Sequence, residues 1–294
     1  MPLINKKRTT FTVHDDTIRG DLYLPDTIHS KIPAVIVAGP MTSVKEQVTG
    51  VYAKAMAEQG FAALTIDHRH YGESDGQPRQ FEYYKHKIED LTAAVEFLSL
   101  QSEVDANDIG LLGICLGCGY ASWASINANK AKWLGLVVGY YRDVDAIKAD
   151  DPIAFQEKVE QGIRARKHYE SAGEVTMIPA AKEDGDAAMK SKNLVDYYGN
   201  QAKVPNYTNA FAIMSREHFL TFDVQLAAKK IAVPTYMVHS ENALSPRFAR
   251  KFYENLNVEK DQLWLTGKDQ TDFYKNIDLV KKSTSFIAQQ HQGC

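Results

Sequence analysis

Short apolar runs alternate with helix-like segments along most of this chain, and that alternation restricts the possible folds more than any other feature of the sequence. The run at residues 33–38 is continuously apolar, as expected for a strand that is covered on both faces in a parallel sheet. A helical pattern follows over residues 46–59, and Gly60 stands where a left-handed residue would end that helix. Repetition of this unit predicts an α/β fold with a mostly parallel, doubly wound sheet.

The same unit recurs through most of the chain. Predicted strands lie at residues 61–67, 109–114, 134–140, 233–239 and 262–265, and predicted helices lie at 82–100, 116–129, 246–256 and 277–290. Two β-rich runs at 9–13 and 17–24 precede the sheet and are typical of a hairpin.

The alternation stops over residues 142–222. Charged, helix-prone sequence such as 151–172 is mixed there with polar loops, so we predict an inserted helical cap on a core formed by 1–141 and 223–294. Aromatic and apolar residues are frequent in the second half of this segment: Tyr197, Tyr198, Tyr207, Phe211, Met214, Phe219 and Phe222. They favour an apolar acyl or aromatic substrate, unless their role is only to pack the cap onto the sheet.

Composition excludes several classes of protein. The 294 residues are 44% apolar and 24% charged, as in soluble globular proteins, and 37 acidic against 34 basic residues give a net charge of -3. That balance argues against a binder of nucleic acid or of anionic membranes and favours a small-molecule partner. No apolar run approaches the roughly 20 residues that span a bilayer, and the first residues lack the apolar core of a signal peptide, so we expect a cytoplasmic protein. The odd set of cysteines, Cys115, Cys118 and Cys294, predicts reduced thiols.

The clearest chemical signal lies where the predicted strand at 109–114 runs into a predicted helix. The sequence there is Gly113-Ile114-Cys115-Leu116-Gly117, the G-x-S-x-G pattern of a nucleophile elbow with cysteine in the serine position. A strand that turns sharply into a helix holds its central residue in a strained backbone conformation, and the flanking glycines allow neighbouring chain to approach closely. Cys115 is therefore the candidate nucleophile.

Acyl chemistry at such a nucleophile needs two backbone N–H groups that hold the developing oxyanion. The N–H of Leu116, directly after Cys115, is the first candidate. The second comes from the loop after the strand at 33–38, where Pro40 has no N–H and Met41 is therefore the candidate donor. The alternative is that Gly39 and Pro40 form only a tight turn.

Five segments together resemble the α/β-hydrolase superfamily, in particular its dienelactone-hydrolase-like and polyketide-transferase-like members. They are residues 39–47, 67–76, 113–120, 239–243 and 267–274. The resemblance implies an α/β-hydrolase fold and a triad in the chain order nucleophile, acid, histidine. Cys115 matches the first place and Glu241 the second. The third place holds Gln270, which cannot take up a proton at neutral pH.

Other residues could replace the missing acid or base. His239 lies at the end of a predicted strand, His68 and His70 lie on a loop at the same sheet edge, and Asp143 follows another predicted strand. Asp143 is the alternative acid, and the three histidines are alternative bases. An isolated histidine near a strand end is more often structural.

A cysteine nucleophile depends less on a neighbouring histidine base than a serine nucleophile does. A free thiol has a pKa near ~8.5, and a helix amino terminus stabilises a thiolate by roughly 0.3 to 2 kcal/mol, which predicts a lowered pKa for Cys115. Attack on an ester or thioester then needs no base, whereas release of the acyl group to water does. We therefore expect acyl transfer, or slow hydrolysis, through a covalent acyl-enzyme. The expected substrate is a small acyl compound, free or carrier-bound. No cofactor or metal is expected, and a homodimer is left open.

Three other interpretations compete with this one. The segment from Cys115 to Cys118 is also a C-x-x-C at a helix amino terminus, as in redox proteins with a low-pKa thiol, although a thioredoxin-like fold is much shorter. Zinc is disfavoured because no second cysteine or histidine pair lies at metal-ligand spacing. The remaining alternative is a non-catalytic, small-molecule-binding pseudoenzyme of the same fold, and an inert, buried Cys115 would favour it.

Overall fold

A mostly parallel sheet forms the centre of the molecule. The structure, a computed structural model, describes residues 3–292, so Cys294 lies outside the described residues. Within that range one sheet has the strand order β1-β2-β4-β3-β5-β6-β9-β10. Its strands are β1 (Ile4–Val13), β2 (Asp16–Pro25), β3 (Ile32–Ala38), β4 (Ala62–Ile66), β5 (Val104–Ile114), β6 (Ala131–Val137), β9 (Thr235–Asn242) and β10 (Lys260–Asp269). β1 and β2 form the predicted antiparallel hairpin, β2 is antiparallel to β4, and the other pairs are parallel. The predicted α/β class is confirmed.

Helices pack on this sheet in two pairs, α1 with α11 and α2 with α3. In chain order the helices are α1 (Val48–Glu58), α2 (Tyr84–Ser99), α3 (Gly117–Asn127), α4 (Val144–Asp150), α5 (Pro152–Ala172), α6 (Lys192–Asp196), α7 (Arg216–Thr221), α8 (Gln225–Ala228), α9 (Pro246–Glu254), α10 (Asp272–Lys275) and α11 (Ile277–Gln292). Among the described residues, none of these helices combines the length and apolarity that crossing a membrane requires.

Two backbone positions show how sequence sets the element boundaries. Gly60 has φ +96° directly after α1, in the left-handed conformation predicted for it. The strand predicted at 134–140 is displaced, because β6 covers Ala131–Val137 and Val138 adopts φ +41°. A β-branched residue in that conformation cannot continue a strand, so the chain leaves the sheet at its carboxyl edge.

The segment between β6 and β9, called the insertion below, contains α4 to α8. α5 matches the predicted helix at 151–172: Asp151 caps it by accepting a hydrogen bond from the Ala154 N–H at 3.0 Å, and Gly173 ends it with φ +73°. The rest of the insertion is short pieces, including a π-helical turn at Tyr197–Gln201, a 3₁₀ turn at Ile213–Ser215, and the paired strands β7 (Met177–Ile178) and β8 (Phe211–Ala212). That the insertion forms a cap separate from the core stays a prediction.

Candidate active site

Cys115 lies at a sharp junction between β5 and α3. Its φ is +56°, a conformation that few residues other than glycine adopt. Backbone hydrogen bonds hold the turn in place, since the Cys115 N–H donates to the Val137 carbonyl at 3.2 Å and the Tyr140 N–H donates to the Cys115 carbonyl at 3.0 Å. The strained geometry that the motif predicts is therefore present, and these hydrogen bonds to neighbouring backbone groups hold it in place.

The flanking glycines are required by close packing. A Cβ atom on Gly113 would lie 2.5 Å from the Cα of Cys118, and one on Gly117 would lie 2.3 Å from the carbonyl oxygen of Ala38. Both contacts are with backbone atoms, which cannot move aside without displacing α3 or β3. Larger residues at these positions would therefore disturb the junction that presents the sulfur.

Three polar groups surround the sulfur of Cys115. Hydrogen bonding from the Tyr274 hydroxyl, the Leu116 N–H and the Gln270 side chain favours the thiolate, but burial outweighs all three and raises the pKa of Cys115. Our expectation that the helix amino terminus lowers this pKa is therefore wrong. The physical reason is desolvation, since Cys115 keeps only 6% of its surface exposed. In this conformation the thiol is protonated at neutral pH.

Gln270 lies beside the sulfur in a fixed orientation. Its amide nitrogen donates to the Val138 carbonyl at 2.8 Å and to the Tyr274 hydroxyl at 2.9 Å, and its oxygen accepts from the Leu244 N–H at 3.1 Å. Both amide hydrogens are used in these bonds, and the side chain also lies within hydrogen-bonding reach of the Cys115 sulfur. That Gln270 occupies the place of a triad histidine stays an interpretation.

Neither acid candidate reaches Gln270. Glu241 has an exposed side chain and pairs with Arg250. Asp143 caps α4 by accepting from the Ala146 N–H at 3.1 Å, and its other oxygen pairs with Lys251 at 2.5 Å. The structure thus gives Glu241 and Asp143 other partners, and the prediction that either orients the third triad position finds no contact to support it.

The alternative bases also have other surroundings. His239 is buried beside the rings of Tyr141 and Trp264, and burial lowers its pKa to about 4. His70 bonds the Pro78 carbonyl at 3.0 Å and the His86 ring at 2.8 Å, and burial lowers its pKa to about 4.

His68 contacts Asp90 at 3.2 Å, and burial lowers its pKa. Burial keeps these three histidines neutral near pH 7, and their hydrogen bonds and ring contacts assign them structural roles rather than contact with the sulfur.

The loop after β3 carries the second candidate oxyanion donor. Met41 is buried, and its N–H has no acceptor among the described residues, whereas the next N–H, that of Thr42, donates to the carboxylate of Glu82 at 2.9 Å. Thr42 has φ +59°, and the Ser43 hydroxyl bonds the Pro40 carbonyl at 2.7 Å. The loop is thus held by specific bonds on both sides of Met41. The Ser43 N–H also donates to the Pro40 carbonyl at 3.4 Å, so the loop contains a turn, and the role of Met41 as an oxyanion donor stays a prediction.

Glu82 was not identified from the sequence, where it resembles an ordinary acid at the start of a helix. It is fully buried and accepts hydrogen bonds from the hydroxyls of Tyr71 at 2.7 Å and Tyr120 at 2.6 Å, in addition to Thr42. The ammonium of Lys87, also buried, lies 2.7 Å away. This compensation keeps the pKa of Glu82 below its ordinary value despite burial.

Tyrosines from the insertion cover the site. The ring of Tyr197 lies 5.1 Å from that of Tyr274 and 5.1 Å from that of Tyr198, and Tyr198 stacks on Tyr207 at 5.4 Å. Only 6% of Cys115 is exposed, so the sulfur is largely shielded from solvent. It lies in the main hydrophobic core, and polar groups of Tyr274, Leu116 and Gln270 also contact it.

Cys118 does not form a redox pair with Cys115. Both are free thiols, and the Cys118 sulfur donates to the Gly113 carbonyl at 3.2 Å and the Val137 carbonyl at 3.5 Å. Burial raises the pKa of Cys118 far above its ordinary value. A C-x-x-C redox site needs a low-pKa thiol, so this alternative is not supported.

Acidic side chains also gather behind the loop that carries Met41. In the described part of the chain, oxygens of Glu46, Asp67 and Glu73 lie within 4.8 Å of one another, a spacing that could hold a metal ion. The Lys45 ammonium already contacts all three, at 2.8, 2.7 and 2.6 Å respectively. Lys45 is 1% exposed, so its ammonium is buried among these carboxylates. It occupies the position between them that a metal cation would take.

Comparison with known proteins identifies the type of fold and several relatives. The family model described as serine aminopeptidase, S33, a group of hydrolases, matches residues 47–267. An uncharacterised protein of Pseudomonas aeruginosa is 30% identical over 94% of this chain and 77% of its own length. A crystal structure of a hypothetical protein from the same organism superposes with a TM-score of 0.87, at 28% identity, and covers 99% of this chain and 94% of that one.

Two fungal relatives match a smaller part of the chain. A thiohydrolase of Aspergillus aculeatus is 39% identical over 35% of this chain and 31% of its own length. A polyketide transferase of Penicillium crustosum is 33% identical over 37% of this chain and 36% of its own length.

Proposed function

This chain belongs to the hydrolase family described as serine aminopeptidase, S33, with the α/β-hydrolase fold, and on that premise we propose that it transfers or hydrolyses acyl groups through a covalent thioester on Cys115. One observation carries the proposal. A strained junction places the Cys115 sulfur next to the Leu116 N–H, and the loop after β3 carries a Met41 N–H that has no acceptor among the described residues. Two N–H groups of this kind suit the developing oxyanion of acyl chemistry.

Acylation proceeds by attack of the Cys115 sulfur on the carbonyl carbon of an ester or thioester. The new sulfur–carbon bond forms while the carbonyl electron pair moves to oxygen, where the N–H groups of Leu116 and Met41 stabilise it. Collapse of this intermediate breaks the bond to the leaving thiolate or alkoxide, which takes up the proton lost by Cys115. Tyr274 stays protonated throughout, since burial raises its pKa well above the ordinary value, and it acts as a donor rather than a base.

Release of the acyl group distinguishes transfer from hydrolysis. An acceptor amine or thiol attacks the acyl-enzyme and returns its proton to the sulfur, whereas water or an alcohol needs a general base that Gln270 does not provide. Two relatives are named as a thiohydrolase and a polyketide transferase, and both names fit chemistry at an acyl carbonyl. We therefore favour transfer to an acceptor, with hydrolysis as a slow competing step.

Access to the sulfur requires movement of the insertion. Polar contacts between the tyrosine-bearing part of the insertion and the core include those from the Gln47 side chain to the Ala202 carbonyl at 2.9 Å and from the Asn206 side chain to Glu46 at 2.9 Å. The Asn193 side chain donates to Asp269 at 3.1 Å, and the Tyr197 hydroxyl bonds the Val48 backbone. Opening must break these bonds. Opening would expose Cys115 to water and remove the desolvation that raises its pKa. Substrate entry and activation of the thiol are coupled in this way.

Intact-mass spectrometry tests the proposal. Incubation with acyl thioesters of N-acetylcysteamine should add one acyl mass to the wild type and none to Cys115→Ala. Cys118→Ser is the matched control, because its hydroxyl can keep the bonds to Gly113 and Val137, and it should acylate like the wild type. An adduct that persists in Cys115→Ala, or the absence of any adduct in the wild type, would overturn the covalent mechanism.

The buried sulfur also favours a second candidate, a small-molecule-binding protein without turnover. Its thiol is closed off and its pKa is raised, the features expected of a structural cysteine. The two functions differ in what a ligand does to the thiol. Under the catalytic proposal, acyl thioesters modify Cys115 in the folded protein. Under the binding proposal, they protect it from iodoacetamide without forming a bond.

A further inference from the structure

Three hydroxyl groups on the loop after β3 and on the insertion are buried without a partner at hydrogen-bond distance in the described part of the chain: those of Thr42, Tyr198 and Tyr207. Thr42 and Tyr198 are 0% and 1% exposed. Buried hydroxyls are normally bonded, because leaving one unpaired removes its hydrogen bond to water without replacement. Three such groups in one place indicate a site that a polar ligand completes.

Ring contacts connect Tyr198 to the surroundings of the sulfur, since the Tyr274 hydroxyl bonds Cys115 and the ring of Tyr197 lies 5.1 Å from the rings of both Tyr274 and Tyr198. Tyr198 is close enough to Cys115 for a charge on the sulfur to raise the pKa of the phenol. The ring of Tyr198 stacks on Tyr207 at 5.4 Å, and the Tyr207 hydroxyl faces the side chain of Thr42. Thr42 directly follows Met41, the candidate oxyanion donor. The three groups therefore lie where the loop after β3 meets the insertion.

The neighbouring tyrosines show that this arrangement is specific. The Tyr197 hydroxyl is bonded to the backbone of Val48, and the Tyr274 hydroxyl accepts from Gln270 at 2.9 Å. The Tyr71 and Tyr120 hydroxyls donate to Glu82. These four tyrosine hydroxyls have partners, whereas the hydroxyls of Tyr198 and Tyr207 have none at hydrogen-bond distance in the described part of the chain, a state they share with buried polar groups elsewhere such as Ser122 and Trp123.

Building on the proposed function, we propose that this site selects acyl groups that carry a hydroxyl or carbonyl oxygen close to the reacting carbonyl. A purely hydrocarbon acyl chain would leave Tyr198, Tyr207 and Thr42 buried and unpaired, whereas a hydroxyl or carbonyl oxygen on the chain accepts hydrogen bonds from them. Sites built to bond a substrate oxygen discriminate strongly against analogues that lack it. This refines the apolar substrate that the aromatic residues of the insertion suggested.

Competition between two thioesters tests the inference. Equal amounts of the β-hydroxybutyryl and butyryl thioesters of N-acetylcysteamine are offered to the wild type, and the two Cys115 adducts are resolved by their mass difference of one oxygen atom. We expect the hydroxylated adduct to exceed the other by about tenfold or more. Tyr198→Phe, which deletes only the hydroxyl, should reduce this ratio severalfold. The matched control Tyr197→Phe should keep it, because the Tyr197 hydroxyl is bonded elsewhere.

A binding measurement separates this inference from the proposed function. The same thioesters are titrated by calorimetry into Cys115→Ala, in which no adduct forms. Tighter binding of the β-hydroxybutyryl compound supports the inference even if the wild type is never acylated, an outcome that would overturn only the covalent mechanism. Equal binding of the two compounds, failure of either to bind, or an unchanged preference in Tyr198→Phe and Tyr207→Phe would overturn the inference.

Discussion

The carboxylate of Glu82 accepts a hydrogen bond from the backbone N–H of Thr42 at 2.9 Å. This bond joins the segment before α2 to the loop that carries Met41, and it holds Thr42 in its left-handed conformation. The Glu82 N–H in turn donates to the Ser215 hydroxyl in the insertion at 2.9 Å. One buried acid therefore connects three parts of the site: the loop after β3, the sheet edge and the insertion.

Replacing Glu82 by glutamine should destabilise the protein by about 3 to 5 kcal/mol, because the buried ammonium of Lys87 then lacks its counter-charge. Urea unfolding measures the change. Glu241→Gln is the matched control: its pair with Arg250 is exposed, and its loss should cost less than about 1 kcal/mol. Similar losses in the two variants would show that the Glu82 network does not stabilise the fold.

Replacing Gln270 by histidine should shorten the lifetime of the acyl-enzyme. An imidazole beside the sulfur provides a base that can activate water, and we expect hydrolysis of the acyl-enzyme to accelerate by about tenfold or more. This is a small rate enhancement for general-base catalysis, because no acid orients the imidazole ring. Decay of the Cys115 adduct, followed by intact mass, measures this. Gln270→Ala adds no base and serves as the control. Equal lifetimes in the two variants would contradict the assignment of Gln270 to the deacylation step.

Alkylation of Cys115 should be slow at neutral pH and should rise with pH. Because burial raises the pKa of this thiol, its thiolate fraction at pH 7 is below that of a free thiol and grows about tenfold per pH unit until the pKa is reached. Iodoacetamide labelling, located by peptide mass, gives the profile. Tyr274→Phe removes a donor to the sulfur and should slow labelling further, whereas Tyr253→Phe on α9 should not. Labelling that is fast and independent of pH would show that the thiol is not desolvated.

Protonation of His239 should contribute to acid unfolding. Burial lowers the pKa of His239 to about 4, whereas an unfolded histidine titrates near ~6.5. The unfolded chain therefore binds this proton at higher pH, and the stability is present above pH ~6.5 and lost as the pH falls towards ~4, by roughly 3 kcal/mol in total. Over this range the urea midpoint should depend less on pH in His239→Gln than in the wild type. It should keep the wild-type dependence in His29→Gln, because His29 is exposed. If His239→Gln leaves this pH dependence unchanged, protonation of His239 does not contribute to acid unfolding.

The order of strands and helices was predictable because each depends on local patterns. Continuous apolar runs identified the parallel strands, and Gly60 ended α1 as predicted. Gly113, Cys115 and Gly117 identified the strained junction because only small residues fit against Cys118 and Ala38. The end of β6 was missed because nothing in the residue type of Val138 signals a left-handed conformation.

Properties that depend on distant residues could not be predicted in this way. The pKa of Cys115 is raised because the insertion and α10 cover it, which no pattern near the elbow reveals. Glu82 is distinguished from other acids only by Lys87, Tyr71, Tyr120 and Thr42, which converge on it from separate parts of the chain. Likewise, Glu241 follows the sequence pattern of a triad acid but pairs with Arg250.

The three carboxylates around Lys45 restrict which segments near the site can fluctuate. Lys45 lies on the same loop as Met41, and displacing that loop would separate a buried ammonium from Asp67, a rearrangement with a high barrier. Amide hydrogen exchange should therefore be slow along this loop and faster in the segment bearing Tyr198. The frequency with which that segment fluctuates, rather than any motion of the loop, would then limit how often the sulfur meets a ligand.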